Sequence, residues 1–144
     1  MSRWDWLLIV LCAAFAVTSF VIDPLSAFGV PLTADSANPL ARAMFRFASQ
    51  TDPLLLEDPP MLRAQTGVSM FVYGPFYLLL IYALVRRAAW IRVPALVFAG
   101  ALAINVVVYV TADFVGYHIA NPVLFIGVNL PYFLLAVGLV LRFR

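Results

Sequence analysis

Four long apolar runs dominate the pattern of the chain, at 4–22, 66–85, 94–112 and 122–141. Crossing the hydrocarbon core of a bilayer takes about 20 mainly apolar residues, and each run is near that length. None contains Lys, Arg or Glu, and Asp5 sits at the start of the first. In lipid only helices and closed barrels satisfy the backbone, and these runs lack the alternation of barrel strands. The pattern predicts an all-α integral membrane protein, a bundle of four transmembrane helices forming a single domain over 1–144. The first run reads as a span rather than a cleaved leader, because Arg3 is the only basic residue before it and no clean A-x-A site follows.

Polar punctuation marks the ends of the runs. Pro94 and Pro122 open helices, where a missing N–H costs nothing. Asn121 is placed to cap the last helix, and Trp4, Trp6 and Trp90 sit at run ends, where indoles favour the interface. The connection 23–63 is the longest polar stretch and holds prolines 24, 31, 39, 53, 59 and 60. Within it, 39–50 reads as a short amphipathic helix. Leu40, Met44 and Phe47 repeat at helical spacing, with Arg42, Arg46 and Ser49 elsewhere. Such a helix either lies on the interface or caps the bundle.

Composition agrees with this pattern. Hydrophobic residues are 65% and charged residues 11% of the 144, against about 45–50% and about 25% in soluble domains. This excludes a water-soluble domain, a disordered chain and a nucleic-acid binder. One cysteine, Cys12, and one histidine, His118, rule out a thiolate or multi-histidine metal site. No metal or other cofactor is expected.

Charge sets an expected orientation. Arg3, Arg86, Arg87, Arg92, Arg142 and Arg144, offset only by Asp5, fall on the side of the two termini. Arg42, Arg46 and Arg63 face six acids, Asp23, Asp35, Asp52, Glu57, Asp58 and Asp113, on the other. Both termini are therefore expected in the cytoplasm, with the long connection on the non-cytoplasmic side. Basic residues that are all Arg, with abundant Ala and Val, favour a bacterial inner membrane over the endoplasmic reticulum.

Polar residues inside a membrane are costly and face the protein interior or a cavity. Asp23, Ser69, Tyr73, Asn105, Tyr109 and Asn129 all fall in the non-cytoplasmic half, and Asp113 just beyond the third run. Pro75 and Pro131 interrupt the second and fourth runs there. Each removes a backbone hydrogen bond and favours a kink. Two such bends predict a splayed half with a cavity lined by Ser69, Tyr73, Asn105 and Asn129, with Asp23 and Asp113 near its mouth. The same Asn, Ser and Thr side chains also serve as hydrogen-bonding glue between helices, and Asp113 and His118 also read as solvated loop residues. Asp23, at a helix C-terminus that disfavours an anion, calls for a donor, a cation or a proton.

Several of these residues resemble a known family. Thr51-Asp52-Pro53-Leu54-Leu55-Leu56-Glu57-Asp58-Pro59-Pro60 resembles the DPLLxEPP-like segment of the sigma-2 receptor family, and Trp90-Ile91-Arg92-Val93-Pro94-Ala95 resembles its WIRxPA segment. Asp23 and the Pro131-Tyr132 pair also fit. The family lies within the EXPERA superfamily, with the emopamil-binding sterol isomerases, whose positions Gly74-Pro75 and Asn129 resemble. The resemblance implies four membrane helices, cytoplasmic termini, a homodimer, and an intramembrane pocket for sterols or hydrophobic amines. By that analogy Asp23 pairs with a ligand amine and Asp52 organises the pocket wall. Both branches carry a glutamate in the second helix, where this chain has Ser69, or Thr66 one turn away.

Three functions follow as expectations. The first is binding of a hydrophobic small molecule or lipid, sterol-like, isoprenoid or a cationic amphiphile, at Asp23, Asp52, Ser69, Tyr73, Asn105, Tyr109 and Asn129. The second is an isoprenoid or sterol isomerase or cyclase, with Asp23 or Asp113 as the proton donor and Asn and Tyr groups facing a carbocation. The third is a structural membrane subunit. A drug exporter fits poorly, because no acid lies near mid-membrane.

Overall fold

The computed structural model describes residues 2–144, and among them there are helices and no strands. Helix α1 spans Arg3–Ala27, α2 Pro39–Thr51, α3 Pro53–Glu57, α4 Pro60–Arg86, α5 Ala89–Gly116 and α6 Pro122–Phe143. Helices α1, α4, α5 and α6 are long and apolar enough to cross a membrane, and the chain is an integral membrane protein.

Local chemistry explains the ends. Ser2 and Asp5 form a reciprocal capping box that starts α1. Asn38 caps α2, with Oδ1 accepting from the Leu40 N–H at 2.9 Å, and Asn121 caps α6 through the Leu124 N–H at 3.1 Å. Three of the spans run longer than the apolar runs: α1 continues to Ala27, α4 begins at Pro60, and α5 covers Ala89–Gly116. Prolines at the first helical position allow polar first turns to be wound into α4.

The spans pack α1 against α4, α5 against α6, and α1 against α6. Both termini lie at one end, where Arg142 Nε meets Asp5 Oδ1 at 2.6 Å and Arg92 Nε donates to the Phe143 carbonyl at 2.7 Å. Near this terminal end the core is closed by Leu8, Cys12, Leu80, Ala95, Leu135 and Leu139, each at most 3% exposed. Gly138 lets α6 approach α1, since a Cβ there would meet Leu8 Cδ2 at 2.8 Å.

The opposite, loop end is built differently. Two spans leave α-winding at matching places, Thr18–Ile22 in α1 and Ser69–Tyr73 in α4, where the hydrogen bonds widen to π type. The sequences are related: Thr18-Ser19-Phe20-Val21-Ile22-Asp23-Pro24 and Ser69-Met70-Phe71-Val72-Tyr73-Gly74-Pro75 share Thr/Ser, Phe, Val and Pro at the same spacing. Each proline would clash with the carbonyl four residues earlier, that of Phe20 or Phe71, and offers it no N–H. The wider turn accommodates this. Asp23 N–H bonds to Thr18 O and Gly74 N–H to Ser69 O, five residues back. Pro75 therefore widens its helix rather than ending it, and α-winding passes through Pro131 without a break. The two widened segments face each other through Ser19 Oγ and Ser69 Oγ, 2.9 Å apart. Gly74 gives room for the Phe20 ring, which a Cβ would meet at 2.8 Å.

Helices α2 and α3 cap this end. Ala41, Ala48 and Thr51 of α2 are fully buried, so its apolar face covers the bundle. The cap is tied down by Asn121 N–H to Gln50 O (2.9 Å), Tyr109 Oη to Asp52 Oδ2 (2.5 Å) and Leu54 N–H to Asp113 Oδ1 (3.3 Å). Asp58, in the left-handed region at φ 44°, accepts from Ser26 and pairs with Arg63 at 2.8 Å, joining α1 to the start of α4.

Candidate functional site

A cavity of about 350 Å³ opens between the loop-end halves of the spans and the α2–α3 cap. All six helices supply its walls. Its floor is aromatic: Phe15 and Tyr132 stack with centroids 3.7 Å apart, and Tyr77 packs against Phe15 at 5.8 Å and Phe98 at 5.3 Å. Below these rings lies the closed terminal half. Met44 and Phe47 of α2, with Leu55 and Leu62, supply apolar surface nearer the cap.

Seven polar positions singled out in the sequence meet here: Asp23, Asp52, Ser69, Tyr73, Asn105, Tyr109 and Asn129 all line the cavity. The π turn at Thr18–Ile22 carries Asp23 to its wall, and the π turn at Ser69–Tyr73 presents Ser69 beside that carboxyl. Tyr73 rests edge-on against Phe98 at 5.2 Å. Asn105 Oδ1 accepts from Gln65 Nε2 at 3.2 Å, and Asn129 Nδ2 donates to the Phe125 carbonyl one turn back at 3.0 Å. The gluing role is thus real for Ser69 and Asn105, which bond across helices, while both also border open space. Thr66 bonds back to the Leu62 and Arg63 carbonyls instead.

Asp113 has a different place from the one its sequence position suggests. It is not a solvated loop residue beyond the third span, because α5 runs on to Gly116 and Asp113 is 0% exposed. Nor does it line the cavity. It sits behind Asp52, with the two carboxyls facing each other. Asp113 Oδ1 takes the Leu54 N–H, while Oδ2 is buried with no donor. Two adjacent buried carboxylates repel, so such a pair is stable when it holds one proton between them. Burial pushes Asp52 up from its ordinary value, opposed by the Tyr109 hydroxyl, by Asp113 and by the Leu55 N–H. Asp52, Asp113 and Tyr109 therefore form one connected group reaching the cavity wall. His118 is exposed and apart from it.

Sequence reasoning missed Gln65, Thr18 and Tyr132 as wall residues. Gln65 Oε1 is buried without a donor, leaving an acceptor for a ligand or water. Its position in a polar first turn gave no hint that the helix would begin at Pro60. A mostly apolar cavity with a few converging polar groups is the usual form of a small-molecule site. Among the described residues no group of three or more metal-ligating His, Cys, Asp or Glu side chains occurs.

Comparison with known proteins gives one match. The family model described as EXPERA (EXPanded EBP superfamily) matches residues 39–143. No curated protein and no solved structure matches the chain.

Proposed function

The chain belongs to the EXPERA family, and on that premise we propose that it binds a hydrophobic ligand carrying a cationic or hydroxyl group, such as a sterol-like molecule, an isoprenoid or a cationic amphiphile. The observation that carries this reading is the cavity itself: apolar walls, an aromatic floor, and Asp23 set on its side by a π turn. Asp23 has Ser69 beside it and no basic side chain among the cavity walls, so a ligand cation completes the charge. Aromatic faces below suit the same cation. Titration of the purified protein with a hydrophobic amine is expected to show saturable binding. Asp23→Asn should weaken it at least tenfold, and unchanged affinity would remove Asp23 from the site.

A second reading is favoured by the Asp52–Asp113 pair. A proton held there is within one hydroxyl, that of Tyr109, of the cavity. In an isomerase the acid would protonate one carbon of a double bond. The resulting cation would lose a neighbouring proton to a carboxylate, shifting the double bond with no net change in protons. Incubation with sterols and isoprenoids in deuterated buffer tests this reading, and no deuterium in any recovered lipid would overturn it. With neither ligand nor exchange, a structural membrane role is what remains.

The same proposal places both termini in the cytoplasm of a bacterial inner membrane and pairs the chain with a second copy. The arginines of the terminal end support the orientation. Cysteine labelling of intact cells at each end tests it, and the mass of the detergent-solubilised protein tests the dimer.

A further inference from the structure

The terminal end, remote from the ligand cavity, carries a second recess, about 290 Å³, between the ends of α4 and α6 and the start of α5. Arg87, Arg92, Arg142 and Arg144 line it, with Ala88 and Ala89 between them. We propose that this recess binds the phosphate of an anionic phospholipid headgroup.

Charge comes first. The only acid near this end is Asp5, and Arg142 already pairs with it at 2.6 Å. Arg92 spends one N–H on the Phe143 carbonyl, which fixes its guanidinium at the rim and leaves its other donors free. Arg87 and Arg144 make no ion pair among the described residues. Four guanidiniums thus converge on a small concave space without a matching anion. Arginine is the residue best suited to bidentate phosphate contacts.

The shape of the chain contributes as well. Arg87 ends α4 in the left-handed region at φ 53°, which turns the chain sharply into α5 and makes the wall of the recess. The first turn of α5, Ala89–Ile91, has no side-chain cap, so its leading N–H groups add to the donors already supplied by the arginines.

Depth selects a lipid as the source of the phosphate. The recess lies where the apolar surfaces of the spans stop. Trp4, Trp6 and Trp90, 69%, 58% and 55% exposed, stand at that level, as indoles do at a membrane interface. A headgroup seated here would leave its acyl chains along the exposed apolar faces of the spans. Basic pockets between helix ends are known to select such headgroups, each arginine adding about 1 kcal/mol of attraction.

The test compares two variants that lose the same charge. Arg87→Gln with Arg144→Gln empties the recess, whereas Arg3→Gln with Arg86→Gln removes two arginines of the same end that do not line it. Purified full-length protein is exchanged into mixed micelles of phosphatidylglycerol and phosphatidylcholine, and retained lipid is counted by native mass spectrometry. The expected result is one tightly held phosphatidylglycerol per chain, its affinity reduced at least tenfold in the first variant and less than threefold in the second. Inorganic phosphate at 10 mM should not displace it. Equal losses in both variants, no preference over phosphatidylcholine, or full displacement by inorganic phosphate would each overturn the proposal.

Discussion

The two halves of this bundle, made from the same four helices, solve opposite problems. Toward the termini, small residues bring the spans together: Gly138 against Leu8, with Ala83, Ala95, Ala99 and Ala136 nearly fully buried between larger side chains. Toward the cap, two prolines and two widened turns hold α1 and α4 in a shape that leaves space, and short polar side chains edge that space. One half contributes packing, and the other gives some up for a site. The contrast teaches that in an apolar chain the cavity is made by the backbone, since hydrophobic side chains alone would have closed it.

The sharpest way to break this contrast is to truncate a leucine in each half. Leu80→Ala, at a fully buried position, should cost about 2–5 kcal/mol. Leu55→Ala, on the cavity wall, should cost about 1 kcal/mol or less, because its side chain already lacks neighbours on one side. Thermal unfolding in detergent measures both, and equal losses would show that the loop half is packed as tightly as the other. Next in size is Arg142→Gln, which leaves the buried Asp5 carboxylate without its partner. The loss should be about 1–3 kcal/mol, toward the lower figure because Arg142 is itself 40% exposed. An unfolding midpoint that does not move would mean that water already satisfies Asp5.

The acid pair sharpens the comparison through pH. Asp52 is raised in the folded protein, chiefly by burial, so the native state binds its proton more tightly than the unfolded chain does. That contribution is fully present below the unfolded value of about 4 and is lost as pH rises through the raised folded value. Unfolding midpoints should therefore fall as pH rises through this window, and Asp52→Asn should flatten that part of the curve. A slope left unchanged by Asp52→Asn would place the responsible proton elsewhere. The smallest effect expected is that of Ser19→Ala, which removes the bridge between the two π turns at about 0.6 kcal/mol. A loss of several kcal/mol would make that bridge, rather than the prolines, the support of the widened turns.

The spans were legible in the sequence because lipid leaves few alternatives: a long run with no charge inside it has to be a helix. The seven cavity positions were legible for a related reason, as polar side chains at one depth have to turn inward. What hydropathy could not register is winding. Thr18–Ile22 and Ser69–Tyr73 are as apolar on average as any α-helical stretch, and only the shared Phe-Val-x-x-Pro spacing betrays them. Asp113 was obscured by its position near a helix end, where burial depends on a partner distant in the chain, the Leu54 N–H. Gln65 was obscured by its polar neighbours Arg63 and Thr66, which suggested a loop.

Each π turn fits one more residue into its helix than ordinary winding would hold. One residue corresponds to about 100° of rotation. Shortening either segment by a single position would return it to regular geometry and swing everything beyond it around the axis by that angle. Asp23 would then be turned away from the hollow, without any change in its own identity. The number of residues preceding the proline is what aims the carboxylate, so a gap of one at this place would matter more than most substitutions around it.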